Sequence, residues 1–171
     1  MALGIDAIAH WSTLSVKGKT VAVLGCGVDI PHPRSNIRLY EEIIDHGGIV
    51  ISEFPPGMFV QKGLFVARNR IISGLSLGIL VVEGAKDSGA LITARYAAEQ
   101  GKDVFAPPVP ITSVMSQAPN ILIKQGAKFV TQVEDILEEY GIQKSNVQKE
   151  VYDSLSVQEK AIVDKIGRAH V

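Results

Sequence analysis

The chain is poor in the features that mark several whole classes of protein. It has a single cysteine, Cys26, which excludes an internal disulfide and suits a reducing cytosol. Neither sign of charge dominates: 17 Lys and Arg stand against 18 Asp and Glu, a formal net charge of -1 with an isoelectric point near 6.4. A global nucleic-acid signature is therefore missing, and any binding to DNA has to come from a local patch. No apolar run is long enough to span a bilayer, and no leader with a charged start and an apolar middle is present, so no membrane association is expected and the cytoplasm is the expected compartment. A P-loop G-x-x-x-x-G-K-S/T and a zinc-spaced Cys/His cluster are also missing. No cofactor or metal is expected. What remains, 46% hydrophobic and 20% charged residues, is the composition of a globular protein able to bury a core.

The most informative stretch runs from Phe65 to Gly101, FVARNRIISGLSLGILVVEGAKDSGALITARYAAEQG. It reads as an amphipathic helix, an apolar strand, a Ser-Gly turn and a second helix, one αβα unit. On a 100° wheel Leu64, Phe65, Ile71, Ile72 and Leu75 all fall within about 60° of Arg68, whereas Arg70 lies on the far side. An arginine in an apolar stripe must be paired, because an unpartnered buried charge costs several kcal/mol or more. An ion pair with Glu53 or Glu83 and a bound anion both satisfy that requirement, since the guanidinium fork suits carboxylate and phosphate alike. The run Gly78 to Glu83 shows no alternation and predicts a strand inside a parallel sheet. In the turn that follows, Ser88 or Asp87 can cap the helix and Gly89 lets a ligand approach the backbone. Its free N–H groups and the helix dipole favour an anion, at the strand end where open parallel sheets bind ligands. A capped helix with nothing bound accounts for the same residues.

Elsewhere the pattern predicts a helix from near Ile5, with Asp6 and His10 as i, i+4 neighbours, strands at Thr20 to Gly25, Ile49 to Ser52, Asp103 to Ala106 and Lys128 to Val130, and helices at Arg34 to His46, Asn120 to Gln125 and Val133 to Tyr140. Gly25-Cys26-Gly27 invites a dinucleotide reading, but the fingerprint fails at Ile30, and Pro31 and Pro33 make the segment a loop. From Gln61 to Ser76 there is no acid, so Lys62, Arg68 and Arg70 form a local basic patch beside Phe65. Cations with a flat ring are what a single strand of nucleic acid needs. By spacing alone, Phe65 as a core residue and Lys62 as a solvated one fit as well.

These runs resemble the DNA-processing protein A family, also called DprA or Smf. The matching segments are Gly4-Ile5-Asp6 with Ala9-His10, Thr20 to Gly25, Ser52 to Gly57, Arg68 to Ser76, Ser88-Gly89 with Leu91 to Ala94, then Asn120, Leu122-Ile123 and Gly126-Ala127. The resemblance implies an α/β fold, a Rossmann-like mostly parallel sheet with helices on both faces. The family's first strands and its Gly-Ser-Arg loop have no counterpart here, which reads as truncation. It further implies a Rossmann-like DNA-binding domain over 1–141, a linker over 142–150, and over 151–171 the truncated start of a winged-helix-like domain. The implied function is non-catalytic: binding of single-stranded DNA and its delivery to the RecA recombinase in DNA uptake and recombination, with the intact protein a homodimer. The residues matching Lys62 and Phe65 belong to the family's DNA pocket. With Arg68, Arg70, Ser88 and Gly89 they make the expected DNA- and phosphate-binding set. Ala67 stands where the family has a further arginine, and Pro107-Pro108-Val109 and Ala118-Pro119 replace rim glycines, so weaker binding than in an intact member is expected.

The competing expectation is an enzyme, a nucleotide phosphoribohydrolase of the similar lysine-decarboxylase-like Rossmann group. That group carries Pro-Gly-Gly-x-Gly-Thr and a helical glutamate at the corresponding turn. This turn, Glu83 to Thr93, has neither the glycine pair nor the acid, and an acid–base reaction would need a second placed group beside Glu83.

Overall fold

The computed structural model describes residues 2–61 and 63–142. Contacts divide the chain into two compact units, residues 1–129 and 130–171. Apart from Ile142, the linker expected at 142–150 and the truncated winged-helix-like domain expected at 151–171 lie outside the described residues.

The first unit alternates helix and strand: α1 (Ile5–Ser15), β1 (Val21–Leu24), α2 (Ile37–Asp45), β2 (Ile49–Ser52), α3 (Leu64–Leu75), β3 (Gly78–Leu80), α4 (Gly89–Glu99), β4 (Asp103–Ala106), α5 (Gln117–Lys124) and β5 (Lys128–Phe129). Every strand pair is parallel. That arrangement, strands joined through helices, is the α/β architecture the alternation predicts. In the second unit α6 (Val133–Glu139) opens on a capping box in which the Asp135 carboxylate accepts from the Thr131 and Gln132 backbone N–H groups at 2.7 and 3.2 Å. Those bonds hold the Asp135 carboxyl below its ordinary value.

Two apolar clusters hold the first unit. Ala22 and Leu24 of β1 pack with Leu14 of α1, Leu39 and Ile43 of α2 and Cys26. Val23, between them in sequence, is also buried. Since successive strand residues point to opposite faces, β1 is covered on both. Val81, Ala106 and the helical residues Ala94, Ala118 and Leu122 form the second cluster, with Ile79 and Val104 packed against it. Leu39 and Ile43 are 1% and 0% exposed, and burying such a side chain contributes about 1.5–3 kcal/mol.

The strands form two ladders, β1–β2 and β3–β4–β5. The sequence places Gly78 to Glu83 inside a sheet. The structure instead gives a three-residue strand whose only ladder among the described residues is with β4, which leaves Leu80 45% exposed. The apolar run continues as loop: Val81 is buried and its N–H donates to the Phe105 carbonyl at 3.0 Å, after which the chain leaves the ladder. An unbroken apolar run reports burial, and burial here comes from α4 and α5 as much as from strands.

Candidate nucleic-acid interface

The buried face of α3 is polar. Arg68, Asn69 and Ser73 are the buried residues of the helix, whereas Leu75, which the wheel places in the core stripe, is 63% exposed. In this polar seam Asn69 and Ser73 are satisfied by hydrogen bonds to α4 and its flank. Ser73 donates to Gln100 Oε1 at 2.7 Å, Gln100 Nε2 donates to the Arg70 carbonyl at 3.0 Å, and Asn69 Nδ2 donates to the Gly89 carbonyl at 3.4 Å. The seam locks α3 against α4 and sets where Arg68 emerges.

Arg68 is 4% exposed and donates through Nη1 to the carbonyl of Val23, in β1. Its Nε is buried without a hydrogen-bond partner, and among the described residues no carboxylate stands within salt-bridge distance of it. Burial lowers its pKa from the usual arginine value, partly countered by the charge of Asp6. The ion pair that Arg68 was a candidate to make belongs to Arg70, which binds Glu53 through Nη2 on the outside of the helix. Two residues further along α3 is about 200° round the helix, so Glu53 can meet only one of the two arginines.

A cleft of about 660 Å³ opens beside Arg68. It is lined by the start of α1, by Phe65, Arg68 and Asn69 of α3, by Leu80 to Gly84, and by Ser88, Gly89 and Ala90. Its floor follows from local sequence. Gly84 is pinned by two backbone bonds, its N–H to the Met115 carbonyl at 2.6 Å and its carbonyl from the Ala118 N–H at 2.8 Å. A side chain at Gly84 would meet Ser88 Oγ at 2.7 Å, so glycine lets the turn close. Ser88 then caps α4 by accepting from the Ala90 N–H at 3.1 Å. Gly89 is exposed, and a Cβ there would meet nothing nearer than Asn69 Nδ2 at 3.9 Å.

Of the six residues the sequence singles out, the structure gathers Phe65, Arg68, Ser88 and Gly89 along this one cleft. Arg70 is exposed and paired with Glu53, away from that lining. Lys62 lies outside the described residues. Asp6 and His10 do not pair with each other: Asp6 accepts from the Ala2 N–H at 3.2 Å and His10 Nδ1 meets Thr20 Oγ1 at 2.6 Å. Burial lowers the His10 pKa from its ordinary 6.5.

Asp6, Asn69 and Glu83 also line the cleft; sequence reasoning put Glu83 at this turn and gave Asp6 and Asn69 no place there. For Asn69 a signal existed, an amide between two arginines on a helix. Its partner, a carbonyl 20 residues on, is invisible to a helical wheel. The loop after β1 is crowded at Gly27. A Cβ there would meet Asp29 Oδ1 and the Pro55 carbonyl at 2.7 Å each, so the protein's own side chain and backbone occupy the space beside that glycine.

The comparisons with known proteins agree with this architecture. The chain is 51% identical over 138 residues to Protein Smf of Escherichia coli strain K12, covering 81% of this chain and 37% of that protein. It is 45% identical over 140 residues to the DNA processing protein DprA of Streptococcus pneumoniae strain R6, covering 82% and 49%. The X-ray structure of DNA processing protein A from Streptococcus pneumoniae superposes with a TM-score of 0.75 at 45% identity, over 80% of this chain and 48% of that one. DNA processing protein A from Helicobacter pylori, whose structure describes its single-stranded DNA binding mode, superposes with a TM-score of 0.73 at 28% identity, over 81% and 62%. The fold is thus the Rossmann-like α/β fold of those proteins, and the chain spans between about a third and a half of the length of the two sequence relatives. With the family model of DNA recombination-mediator protein A matching residues 1–141, the chain belongs to that family.

Proposed function

We propose that this chain binds single-stranded DNA in the Arg68 cleft, without covalent chemistry, and that the intact protein, a cytoplasmic homodimer, delivers the strand to the RecA recombinase during DNA uptake and recombination. The carrying observation is Arg68: a buried guanidinium that among the described residues has an unpartnered Nε and no ion-paired acid, with the Ser88-Gly89 turn on the same cleft. One donor holds Val23. The donors left over, the Gly89 amide and the α4 dipole take a phosphate oxygen. Phe65 and Lys62 engage the adjacent nucleotide, the ring by stacking and the ammonium by charge. Arg70, paired with Glu53, steers the strand from outside. Such a site reads backbone and discriminates little by sequence.

Titration of a labelled oligothymidine at rising salt tests this. Affinity falls steeply, with a logarithmic slope of about -0.7 for each phosphate neutralised. Arg68→Ala lowers both the affinity and the slope, by about one contact, while circular dichroism keeps its folded signature. Salt-independent affinity, or an Arg68→Ala chain that loses stability and keeps its slope, overturns the reading.

The enzymatic reading draws on one observation, that Asp6 and Glu83 both line the cleft. Release of free base from nucleoside monophosphates, abolished by Glu83→Gln, would replace binding with phosphoribohydrolysis.

A further inference from the structure

Phe65 lines the cleft, and the ring of His32 stands against it, with centroids 5.6 Å apart and planes inclined at 50°. His32 Nδ1 is buried and has no hydrogen-bond partner among the described residues. A buried polar nitrogen without a partner costs stability, so the ring is held against Phe65 at a cost. The loop that carries it is held from several directions. The Asp29 carboxylate accepts the Gly57 N–H at 2.8 and 3.0 Å, Gly27 N–H donates to the Met58 carbonyl at 2.8 Å, and Tyr40 Oη donates to the Val28 carbonyl at 2.9 Å. Phe65 is fixed from another side as well. A Cβ on Gly25 would lie 3.2 Å from the Phe65 backbone nitrogen, so the first turn of α3 rests directly on the end of β1.

An aromatic ring on the first turn of a helix can turn about its side-chain bonds, and stacking a base on it requires it to stop in one orientation. Restricting that freedom before binding removes an entropic cost from the binding step. We propose that His32 is a positioning residue for a nucleobase platform: its ring holds Phe65 at the angle at which an unpaired base stacks, and so sustains the base-dependent part of single-strand binding. The inference rests on the DNA-binding reading of the cleft, in which Phe65 stacks on the nucleotide, and adds to it a residue that acts through Phe65. The ring, not the imidazole nitrogen, does the holding.

The test compares two probes of equal length, an oligothymidine and an abasic sugar-phosphate oligomer, on the whole chain and on His32→Ala, His32→Leu and His32→Phe. Wild type binds the oligothymidine more tightly than the abasic probe. His32→Ala and His32→Leu cut that preference by about threefold to tenfold, a fraction of what base stacking contributes, with abasic binding unchanged; His32→Phe keeps the preference. Melting curves on each variant report stability separately. His32→Leu, which puts an apolar side chain of comparable size in its place, stands in if His32→Ala fails to fold. An equal loss on both probes, an unchanged preference in His32→Leu, or a loss in His32→Phe overturns the proposal. Failure of wild type to bind either probe instead overturns the DNA-binding reading itself.

Discussion

Two turns at the carboxyl ends of parallel strands carry glycines, and the structure puts them to opposite uses. After β1, Gly25 and Gly27 make room for protein: α3 sits on the first, and Asp29 with the Pro55 backbone crowds the second. After β3, Gly84 is crowded by Ser88, but Gly89 faces open space, while Ser88 caps the helix and Arg68 lines the same cleft. Glycine marks where something comes close to a backbone, and only the neighbours say whether that is another part of the chain or a ligand.

The contrast can be broken most directly by adding one methyl group to each turn. Gly27→Ala drives a Cβ to 2.7 Å from the Pro55 carbonyl, and chemical denaturation should show a loss of about 1–3 kcal/mol, as overpacking does. Gly89→Ala should leave stability unchanged or slightly raised, by up to about 1 kcal/mol for the gain in helix propensity, while weakening oligothymidine binding. Equal destabilisation by both would end the distinction.

Smaller effects sharpen it. Ser88→Ala removes the α4 cap and should cost about 1 kcal/mol in the same denaturation series. On the packed side His10, beside Thr20, has its pKa lowered by burial. The unfolded chain therefore binds the proton more readily. Stability from this group is full above about pH 6.5 and is lost as the pH falls below that toward the folded value. A melting-temperature profile across this window should flatten in His10→Gln. The smallest change is expected at Arg70: both members of its pair with Glu53 are well exposed, and Arg70→Ala should shift stability by less than about 1 kcal/mol.

Most element positions were legible in the sequence. Strands at 21–24, 49–52, 103–106 and 128–129 and helices at 5–15 and 89–99 lie where alternation, capping residues and terminal glycines put them, because those signals are local. Partner choice was not legible. The wheel put Arg68 in the helix stripe facing the core, yet Glu53 went to Arg70 and Arg68 found a carbonyl 45 residues away. The wheel also promised an apolar seam for α3, and the helix buries Asn69 and Ser73 instead, since Gly89 and Gln100 offer bonds at the right depth.

By itself, then, the sequence determined the alternation of helix and strand, the absence of disulfide and metal-site spacing, and a buried arginine in need of a partner. Tertiary structure alone decided which glycine is crowded and which is open, which arginine keeps an acid, and that β3 pairs with β4 alone among the described residues. The physical reason is range. Periodicity and capping act over a few neighbouring residues, whereas steric room and charge pairing depend on which distant segments the packing brings within reach.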